Sequence, residues 1–414
     1  SKPCLDNSNW QASNHIKGGT PGFTNSVNQI LTDSLRPDIY AVGIISPDTL
    51  VLYLRKNIMY APTTESIHIS GNIGNPLKLW IIEPALNKLK LVLPVPLSSD
   101  SIYTMTVISS VTDCAGNSLK EDSCIFALPK PVEPLDIIIN EILFNPPANA
   151  IDYIEIYNRT HRFIDLKELY LGSGDTITGF ISNQVPISVE PMLIVPHSYR
   201  LLSTDMQTVL TYYHTEERDA FIDLKTLPSY NNIDGTVTLS NISQESIDWV
   251  NYDESWHFAL LNNKKGVSLE RVNPHASSQD KSNWHSAAET VGFGTPGYQN
   301  SQFAEIASIA EKFTIWPEVF SPDQDGWDDV LFIQYHLSEP GYTATVKIYD
   351  ASGKYVQTLA NNQLIGTEGY FAWDGIDYQG NKARTGIHVI WFEMVNPNGK
   401  MDAFKAPCVV ATKL

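Results

Sequence analysis

The stretch Tyr103-Thr104-Met105-Thr106-Val107 alternates large apolar residues with threonines. A period of two places each set of side chains on its own face of a β-strand, so one face is expected in a core. Similar apolar runs recur at short intervals, with turn residues between them, at 49–54, 67–70 and 89–93. Many short strands separated by turns are typical of β-sandwiches, and the sequence therefore predicts an all-β fold.

Composition favours the same fold class. Of 414 residues, 43% are hydrophobic and only 18% are charged, and the many aromatic and β-branched residues favour strands over helices. The length corresponds to two to four domains of roughly 100 to 200 residues each. One short helix is expected at 205–213, where Asp205 can cap a segment with Met206, Val209 and Leu210 at helical spacing.

The charge balance argues against nucleic acid as a partner. Lys and Arg total 28 against 46 Asp and Glu, a formal net charge of −18, and such a chain repels phosphate backbones. No apolar run approaches the roughly 20 residues that span a bilayer, so no transmembrane segment is predicted. Residues 1–4 lack both an initiator Met and an apolar signal core, and we interpret the chain as a processed or truncated piece.

One phrase of sequence occurs near the start and again late in the chain. The first copy reads Ser8-Asn9-Trp10, Gly19-Thr20-Pro21-Gly22-Phe23 and Asn25-Ser26, and the second reads Ser282-Asn283-Trp284, Gly294-Thr295-Pro296-Gly297-Tyr298 and Asn300-Ser301. Each Pro-Gly pair predicts a tight turn, because proline fixes φ near about −65° and glycine tolerates positive φ. Two copies indicate two homologous domains, and residues 1–28 are interpreted as the tail of a domain that is mostly missing here.

The segment 36–128 resembles the bacterial Ig-like domains found between modules of exported proteins. The resemblance rests on the alternating strand at 103–107, which leads into Asp113-Cys114-Ala115-Gly116-Asn117. We interpret Asp113 and Asn117 as turn-forming residues without a catalytic role.

The segment 135–301 resembles the lamin-tail domain, an Ig-like sandwich that bacteria reuse in exported proteins. The motifs are Ile139-Asn140-Glu141-Ile142-Leu143-Phe144-Asn145-Pro146, Asp152-Tyr153-Ile154-Glu155-Ile156-Tyr157-Asn158, Asp165-Leu166, Gly266-Val267-Ser268-Leu269-Glu270-Arg271 and the second copy of the repeat. Paired carboxylates such as Glu141 and Glu155 can perform acid/base hydrolysis. Both segments alternate, however, and we interpret these glutamates as polar positions on strands whose Ile142 and Ile156 point inward.

The segment 314–414 resembles the small Ig-like domain shared by flagellar-hook-capping proteins and C-terminal modules of secreted bacterial proteins. The motifs are Val346-Lys347-Ile348-Tyr349-Asp350-Ala351-Ser352-Gly353-Lys354, Trp373-Asp374-Gly375-Ile376-Asp377, Gly380 and Thr385-Gly386-Ile387-His388-Val389. The resemblance implies a terminal sorting or docking module of the kind found in type IX secretion cargo. The last strand, 408–414, matches a sorting signal only loosely.

Together these segments predict tandem Ig-like β-sandwich domains. The expected boundaries are a tail at 1–28, a bacterial Ig-like domain at 29–132, a lamin-tail domain at 133–301 and a hook-capping-type domain at 302–414.

One loop has carboxylates at a spacing that suits calcium. The stretch 320–329 contains Asp323, Asp325, Asp328 and Asp329 with a glycine at 326, and hard cations take several oxygen ligands from a sharply bent loop. The loop departs from an EF-hand, because Ser321 stands at position 1 and Phe332 at the position of the bidentate glutamate. Two interpretations remain: a calcium site, or an acidic turn that leads into a strand.

Two kinds of covalent modification are candidates. Cys114 and Cys124 are close enough in sequence to close a short disulfide loop in an oxidising compartment, and four buried thiols are the alternative. The family resemblances also imply O-glycosylation of Ser or Thr after Asp. Four positions have that pattern: Ser34, Thr49, Ser101 and Thr176. Asp-Ser and Asp-Thr are also ordinary turn sequences.

The sequence contains no catalytic motif. There is no P-loop, no nucleophile elbow and no Cys/His cluster with zinc spacing. We therefore expect an exported, non-catalytic structural or docking protein of the bacterial envelope or surface, with other envelope or outer-membrane proteins and glycans as partners. The alternatives are an accessory subunit of an outer-membrane secretion or uptake complex, and the C-terminal non-catalytic part of a secreted hydrolase.

Overall fold

The computed structural model describes most of the chain. The described residues are 12–28, 36–58, 60, 62–84, 86–107, 112–113, 115–119, 122–174, 181–258, 261, 263–303, 313–337, 342–365, 368–396 and 398–412. Within these ranges the protein is built of mostly antiparallel sheets with one short α-helix. The predicted all-β, sandwich-like fold class is confirmed.

The strands are, in chain order, β1 (Ile39–Ser46), β2 (Thr49–Leu54), β3 (Ile67–Ile69), β4 (Lys78–Ile81), β5 (Lys88–Val92), β6 (Tyr103–Val107), β7 (Asp122–Phe126), β8 (Ile137–Leu143), β9 (Tyr153–Asn158), β10 (Ile164–Asp165), β11 (Leu169–Gly174), β12 (Ile181–Pro186), β13 (Leu193–Ile194), β14 (Tyr199–Ser203), β15 (Phe221–Asp223), β16 (Asp234–Asn241), β17 (Ser246–Asp253), β18 (Leu269–Arg271), β19 (Trp284–Ser286), β20 (Phe313–Trp316), β21 (Val319–Phe320), β22 (Leu331–His336), β23 (Thr343–Asp350), β24 (Tyr355–Leu364), β25 (Glu368–Trp373), β26 (Gly386–Val395) and β27 (Met401–Val410). The α-helix is α1 (Met206–Tyr212), and short 3-10 turns lie at Thr64–Ser66, Leu166–Glu168, Arg218–Ala220, Glu254–Trp256, Lys281–Asn283 and Glu289–Val291.

The chain divides into two compact units. The first contains Ser1–Val132, Thr160–Glu168 and Ser188–Pro196, and the second contains Glu133–Arg159, Leu169–Ile187 and His197–Leu414. The domain boundaries expected from the sequence stay predictions.

The first unit has one hydrophobic core between two antiparallel sheets. Their strand orders are β1-β2-β5-β4 and β3-β6-β7. The predicted alternation is present in β6, where Tyr103, Met105 and Val107 are buried and the two threonines are exposed. Tyr103 stacks on Phe126 of the neighbouring strand with ring centroids 5.7 Å apart. The predicted strands at 49–54, 67–70, 89–93 and 103–108 all fall on observed strands to within a residue.

The small sheet β10-β13 also belongs to the first unit. Phe163, just before β10, and Leu193 of β13 are buried in the same core. The Tyr53 hydroxyl donates a hydrogen bond to the backbone oxygen of Pro191 at 2.7 Å. Gly43 lies so close to Pro191 that a Cβ at position 43 would overlap the same oxygen. This part of the unit therefore has no space for a larger residue at position 43.

The second unit contains two further pairs of sheets. Its N-terminal part contains two sheets. One has six strands in the order β15-β14-β9-β8-β18-β19, and the other has four strands in the order β12-β11-β16-β17. Its C-terminal part also contains two sheets. One has three strands in the order β20-β22-β25, and the other has five strands in the order β21-β27-β26-β23-β24. The pairs β14/β15 and β21/β27 are parallel, and the other ladders are antiparallel.

The C-terminal core is organised around Trp373, which is 1% exposed. Its indole nitrogen donates to Ile376 O at 3.0 Å, across the turn that contains Gly375 with φ +72°. The motif Trp373-Asp374-Gly375 thus places a buried tryptophan beside a tight turn. The motif at 385–389 leads into β26, where Ile390 and Phe392 are fully buried.

The two parts of the second unit share a small hydrophobic cluster. Val272 of the N-terminal part packs with Val330, Phe332 and Tyr370 of the C-terminal part. Burial of apolar side chains contributes about 25 cal/mol per Å² of surface removed from water. This cluster therefore couples the stability of the two sandwiches.

The helix prediction is confirmed. The Asp205 carboxylate accepts a hydrogen bond from Gln207 N at 3.1 Å, as an N-cap should. Tyr213, just beyond the helix, is 3% exposed and packs in the core.

One interpretation of the strand patterns was wrong. Glu141 and Glu155 were expected on the polar face of their strands, opposite the inward-pointing isoleucines. Both are 0% exposed, and every residue of β8 is buried. A central strand covered on both faces has no solvent-facing side, so its polar residues must be hydrogen-bonded inside the protein.

Candidate functional site

Three glutamates lie side by side in the six-stranded sheet. Glu141 on β8 is directly opposite Glu155 on β9 and Glu270 on β18. All three are 0% exposed. We call these three residues the carboxylate cluster.

The second copy of the repeated phrase supplies half of the cluster's hydrogen-bond donors, and Gln302, the residue after it, supplies one more. Thr295 N donates to Glu141 Oε1 at 3.0 Å, and Gly297 N donates to Glu155 Oε2 at 2.6 Å. Gln302 N donates to Glu270 Oε2 at 2.9 Å. The second copy is therefore the segment that closes this sandwich.

Side chains complete the hydrogen bonding of the cluster. Tyr153 and Ser268 donate hydroxyls to Glu141 Oε1 at 2.6 and 2.5 Å. Asn140 Nδ2 donates to Glu155 Oε1 at 2.9 Å, and Ser301 Oγ donates to Glu270 Oε2 at 2.7 Å. These bonds remain within the protein, so the cluster resembles a structural network rather than an open acid/base site.

Burial favours the protonated, neutral forms of the three glutamates. Desolvation raises the pKa of Glu141, Glu155 and Glu270, and repulsion from Glu141 adds to the shift of the other two. The pKa of Glu270 is raised to about 8. The Thr295 hydroxyl lies 3.0 Å from Glu141 Oε2 and 2.8 Å from Glu270 Oε1. The Thr295 hydroxyl has only one hydrogen and can donate to only one of these two oxygens. The other contact is therefore a hydrogen bond only if that carboxyl is protonated and donates to the Thr295 oxygen.

The first copy of the phrase has the same turn without the same burial. Phe23 N bonds to Thr20 O at 3.1 Å, as Tyr298 N bonds to Thr295 O at 3.3 Å. Gly22 and Gly297 have φ of +79° and +93°. Thr295 is fully buried, whereas Phe23 is 84% exposed. The predicted turns are confirmed in both copies, and Trp10 lies outside the described residues.

The acidic loop brings together three of its four predicted carboxylates. Ligand atoms of Asp323, Asp325 and Asp329 lie within 4.8 Å of one another, and Asp328 is not in this group. Asp329 accepts from Gln324 N at 2.6 Å and Gly326 N at 2.8 Å. Burial and the charge of Asp325 raise the pKa of both Asp323 and Asp328.

The other predicted turn residues lie where expected. Asp113 Oδ1 accepts from the backbone nitrogens of Ala115 and Asn117 at 2.9 and 2.8 Å. Its Oδ2 pairs with Lys56 at 2.6 Å. Hydrogen bonds from Lys56 and Asn117 outweigh desolvation and lower the pKa of Asp113. The turn-forming interpretation is confirmed.

The modification sites are only partly described. Cys114, Ser34 and Thr176 lie outside the described residues, so the disulfide with Cys124 on β7 stays a prediction. Thr49 and Ser101 are partly exposed, which is compatible with modification. Glycosylation at all four positions stays a prediction.

The remaining cysteines can be placed only in part. Cys4 also lies outside the described residues. Cys408 is 1% exposed in the C-terminal core, where burial raises the pKa of its thiol to about 12.

A cleft of about 640 Å³ lies between the two parts of the second unit. Its lining includes Trp256, Phe258, Trp284, His285, Tyr335 and Asp374. Sequence reasoning missed it, because its two walls are distant in the chain and only their packing forms the cavity. Among other aromatic residues of this part of the chain, Tyr213, Tyr230 and Tyr252 are buried and Tyr212 is 39% exposed, whereas Trp256 lines this cleft.

Comparison with known proteins identifies one part of the chain. Residues 325–394 match the family model described as the FlgD Ig-like domain. This confirms the resemblance expected of the C-terminal region. No curated protein matches the sequence. The lamin-tail and bacterial Ig-like resemblances stay predictions.

Solved structures give weaker similarities. The S-layer protein SbsC is 13% identical over 91% of this chain and 55% of its own, with a TM-score of 0.21. Dimeric latent PorU from Porphyromonas gingivalis is 11% identical over 91% of this chain and 34% of its own, with a TM-score of 0.20. The Bacteroides ovatus protein SGBP-B, in complex with a mixed-linkage heptasaccharide, is 12% identical over 85% of this chain and 66% of its own, with a TM-score of 0.20. Scores this low carry no argument about function.

Proposed function

We propose that this chain is a non-catalytic structural or docking protein of a bacterial cell envelope or surface. Its partners are other envelope or outer-membrane proteins and glycans. The FlgD Ig-like match at 325–394 supports a binding-type module at the C-terminal end. Among the described residues no helix is long and apolar enough to cross a membrane.

The observation that carries the proposal is the hydrogen bonding of the carboxylate cluster. All six carboxylate oxygens of Glu141, Glu155 and Glu270 have a hydrogen-bond partner within the protein itself. A general acid or base must reach a substrate proton within hydrogen-bond distance. The three carboxylates are 0% exposed and already hydrogen-bonded within the protein. Their role is therefore to hold the second copy of the repeated phrase against the sheet.

An activity panel on the purified chain tests the proposal. We expect no turnover of chromogenic glycosides, phosphoesters, esters or peptides above that of the Glu141→Gln and Glu155→Gln variants. Turnover that disappears on one of these substitutions, in a variant that still shows the parent's near-UV circular dichroism, would refute the non-catalytic role. Fractionation of the native host should also place the protein with the envelope, and recovery in the cytoplasm would contradict that assignment.

A further inference from the structure

The first copy of the repeated phrase has the backbone turns of the second copy. Each copy contains three turns that are closed by a backbone hydrogen bond between residues three positions apart. These turns are 15–18, 20–23 and 25–28 in the first copy, and 289–292, 295–298 and 300–303 in the second. Gly18 and Gly292, which end the first turn of each copy, both have φ of +78°. The first copy therefore has the local conformation of the segment that closes the second unit's sandwich.

The donors that bond the carboxylate cluster in the second copy have no partner in the first copy. Thr295 N and Gly297 N donate to buried glutamates. The equivalent residues are Thr20, which is half-buried, and Gly22, which is exposed. Among the described residues, the backbone nitrogens of Thr20 and Gly22 have no hydrogen-bond acceptor. Both amides are therefore available to the carboxylates of a partner.

Gly19 of the first copy has no local reason to be glycine. Neither Gly19 nor the equivalent Gly294 has a positive φ. A Cβ at position 294 would lie 2.6 Å from the Tyr153 hydroxyl oxygen and 2.8 Å from the Tyr213 ring, so the close approach of these tyrosines excludes a larger residue. A Cβ at position 19 would have only an atom of Pro21 within 4 Å, at 4.0 Å. A partner that brings an aromatic side chain against Gly19 accounts for this glycine in the same way.

Neither unit contains a free carboxylate cluster that the first copy could bond. The cluster of the second unit is already bonded by the second copy. In the first unit, no glutamate among the described residues is buried. The partner of the first copy is therefore a different sandwich from the one that the second copy closes.

We propose that residues 13–28 close a separate β-sandwich with the same carboxylate cluster. This sandwich precedes them in the natural polypeptide, as β8, β9 and β18 precede the second copy. The Thr20 and Gly22 amides donate to two adjacent buried glutamates, and a tyrosine of the same sandwich packs against Gly19. Phe23, which is 84% exposed, lies against that sandwich at the position that Tyr298 has in the second copy. Nothing in this assignment depends on the proposed docking function.

The first test is whether the residues of the first copy can close a carboxylate cluster, with the second unit of the full chain as the probe. The variant has the first-copy residue at every differing position between 289 and 301, and it keeps Phe293. Its five substitutions are Glu289→His, Thr290→Ile, Val291→Lys, Tyr298→Phe and Gln299→Thr. It should unfold cooperatively and melt within about 4 °C of the parent chain. Adding Thr295→Val to this variant is the control and should lower the melting temperature further, because a buried donor is lost. A variant that melts as low without Thr295→Val as with it would overturn the proposal.

The second test is hydrogen exchange of the monomeric protein isolated from its native host, compared with the chain 1–414. The Thr20 and Gly22 amides should exchange freely in the chain 1–414. In the host protein they should exchange at least about 100-fold more slowly, because buried carboxylates accept from them. The Met105 amide, on β6 in the core of the first unit, should be equally protected in both samples. Free exchange of Thr20 and Gly22 in the host protein would overturn the proposal, as would protection that appears only in a complex with another polypeptide.

Discussion

The hydroxyl of Tyr370 donates a hydrogen bond to Oδ1 of Asn283 at 2.8 Å. Tyr370 lies on β25 of the C-terminal part, and Asn283 ends the 3-10 turn before β19 of the N-terminal part. Asn283 is 0% exposed, and its Nδ2 donates to Asn273 O at 3.1 Å. The asparagine of the repeated phrase is thus an anchor point for the following sandwich.

Tyr370→Phe should destabilise the second unit by about 1 kcal/mol, the usual net contribution of one hydrogen bond. The cost stays moderate because Asn283 Oδ1 still accepts from Asn273 N at 2.8 Å. Urea unfolding followed by tryptophan fluorescence measures the change. Tyr378→Phe is the control, because Tyr378 is 55% exposed and its substitution should shift stability by less than about 0.5 kcal/mol. Equal effects of the two substitutions would show that the bond between the sandwiches contributes nothing.

Thr295→Val should cost about 1 to 3 kcal/mol, because it removes a buried hydroxyl donor and leaves carboxylate oxygens of Glu141 and Glu270 short of a partner. The repeat provides its own control in Thr20→Val, at the equivalent position of the exposed copy. That variant should melt with the parent chain. Differential scanning calorimetry measures the melting temperatures of the two variants. A Thr295→Val variant that melts at the same temperature as the parent chain would contradict the role of the second copy in closing the sandwich.

The stability of the second unit should fall as pH rises from about 6.5 to 9. The pKa of Glu270 is near 4.5 when unfolded and is raised to about 8 by burial and by Glu141. Between these values the folded state binds more protons than the unfolded state, so stability is lost as pH rises through about 8. Glu270→Gln, which mimics the neutral acid, should flatten the slope of melting temperature against pH. Exposed Glu289→Gln should keep the parent slope.

The window lies above the titration of His257, which would change stability in the opposite direction. Burial lowers the pKa of His257 from 6.5 to about 3. Its contribution is present above pH 6.5 and is lost as pH falls towards 3, which is the opposite direction. A melting temperature that rises from pH 6.5 to 9 would contradict the raised pKa of Glu270.

Calcium is expected to raise the melting temperature of the full chain through Asp323, Asp325 and Asp329. A cation would relieve the repulsion among these carboxylates, whose ligand oxygens lie within 4.8 Å of one another. A ligand that binds only the folded state stabilises that state by mass action. Asp325→Asn should abolish the response. Asp350→Asn should keep it, because Asp350 lies in a different turn, where it accepts from Ser352 N at 2.9 Å. Identical melting curves in millimolar calcium and in chelator would leave the acidic-turn interpretation.

The sequence determined the all-β class, because alternation in strands such as β6 and turn residues between strands are local features. It also determined the helix at 206–212, whose Asp205 cap depends on neighbours within a few residues. The tight turns of both repeated phrases follow in the same way, since Pro-Gly chemistry fixes φ at those positions.

The roles of the glutamates and of the cleft were decided only by the tertiary structure. Glu141, Glu155 and Glu270 lie up to 129 positions apart in the chain, and burial on both faces of β8 depends on how distant segments pack. Alternation along one strand therefore could not show that its polar residues face inward. The same holds for His285 and Asp374, which line one cleft because two sandwiches pack together, a long-range contact that no local pattern of residues records.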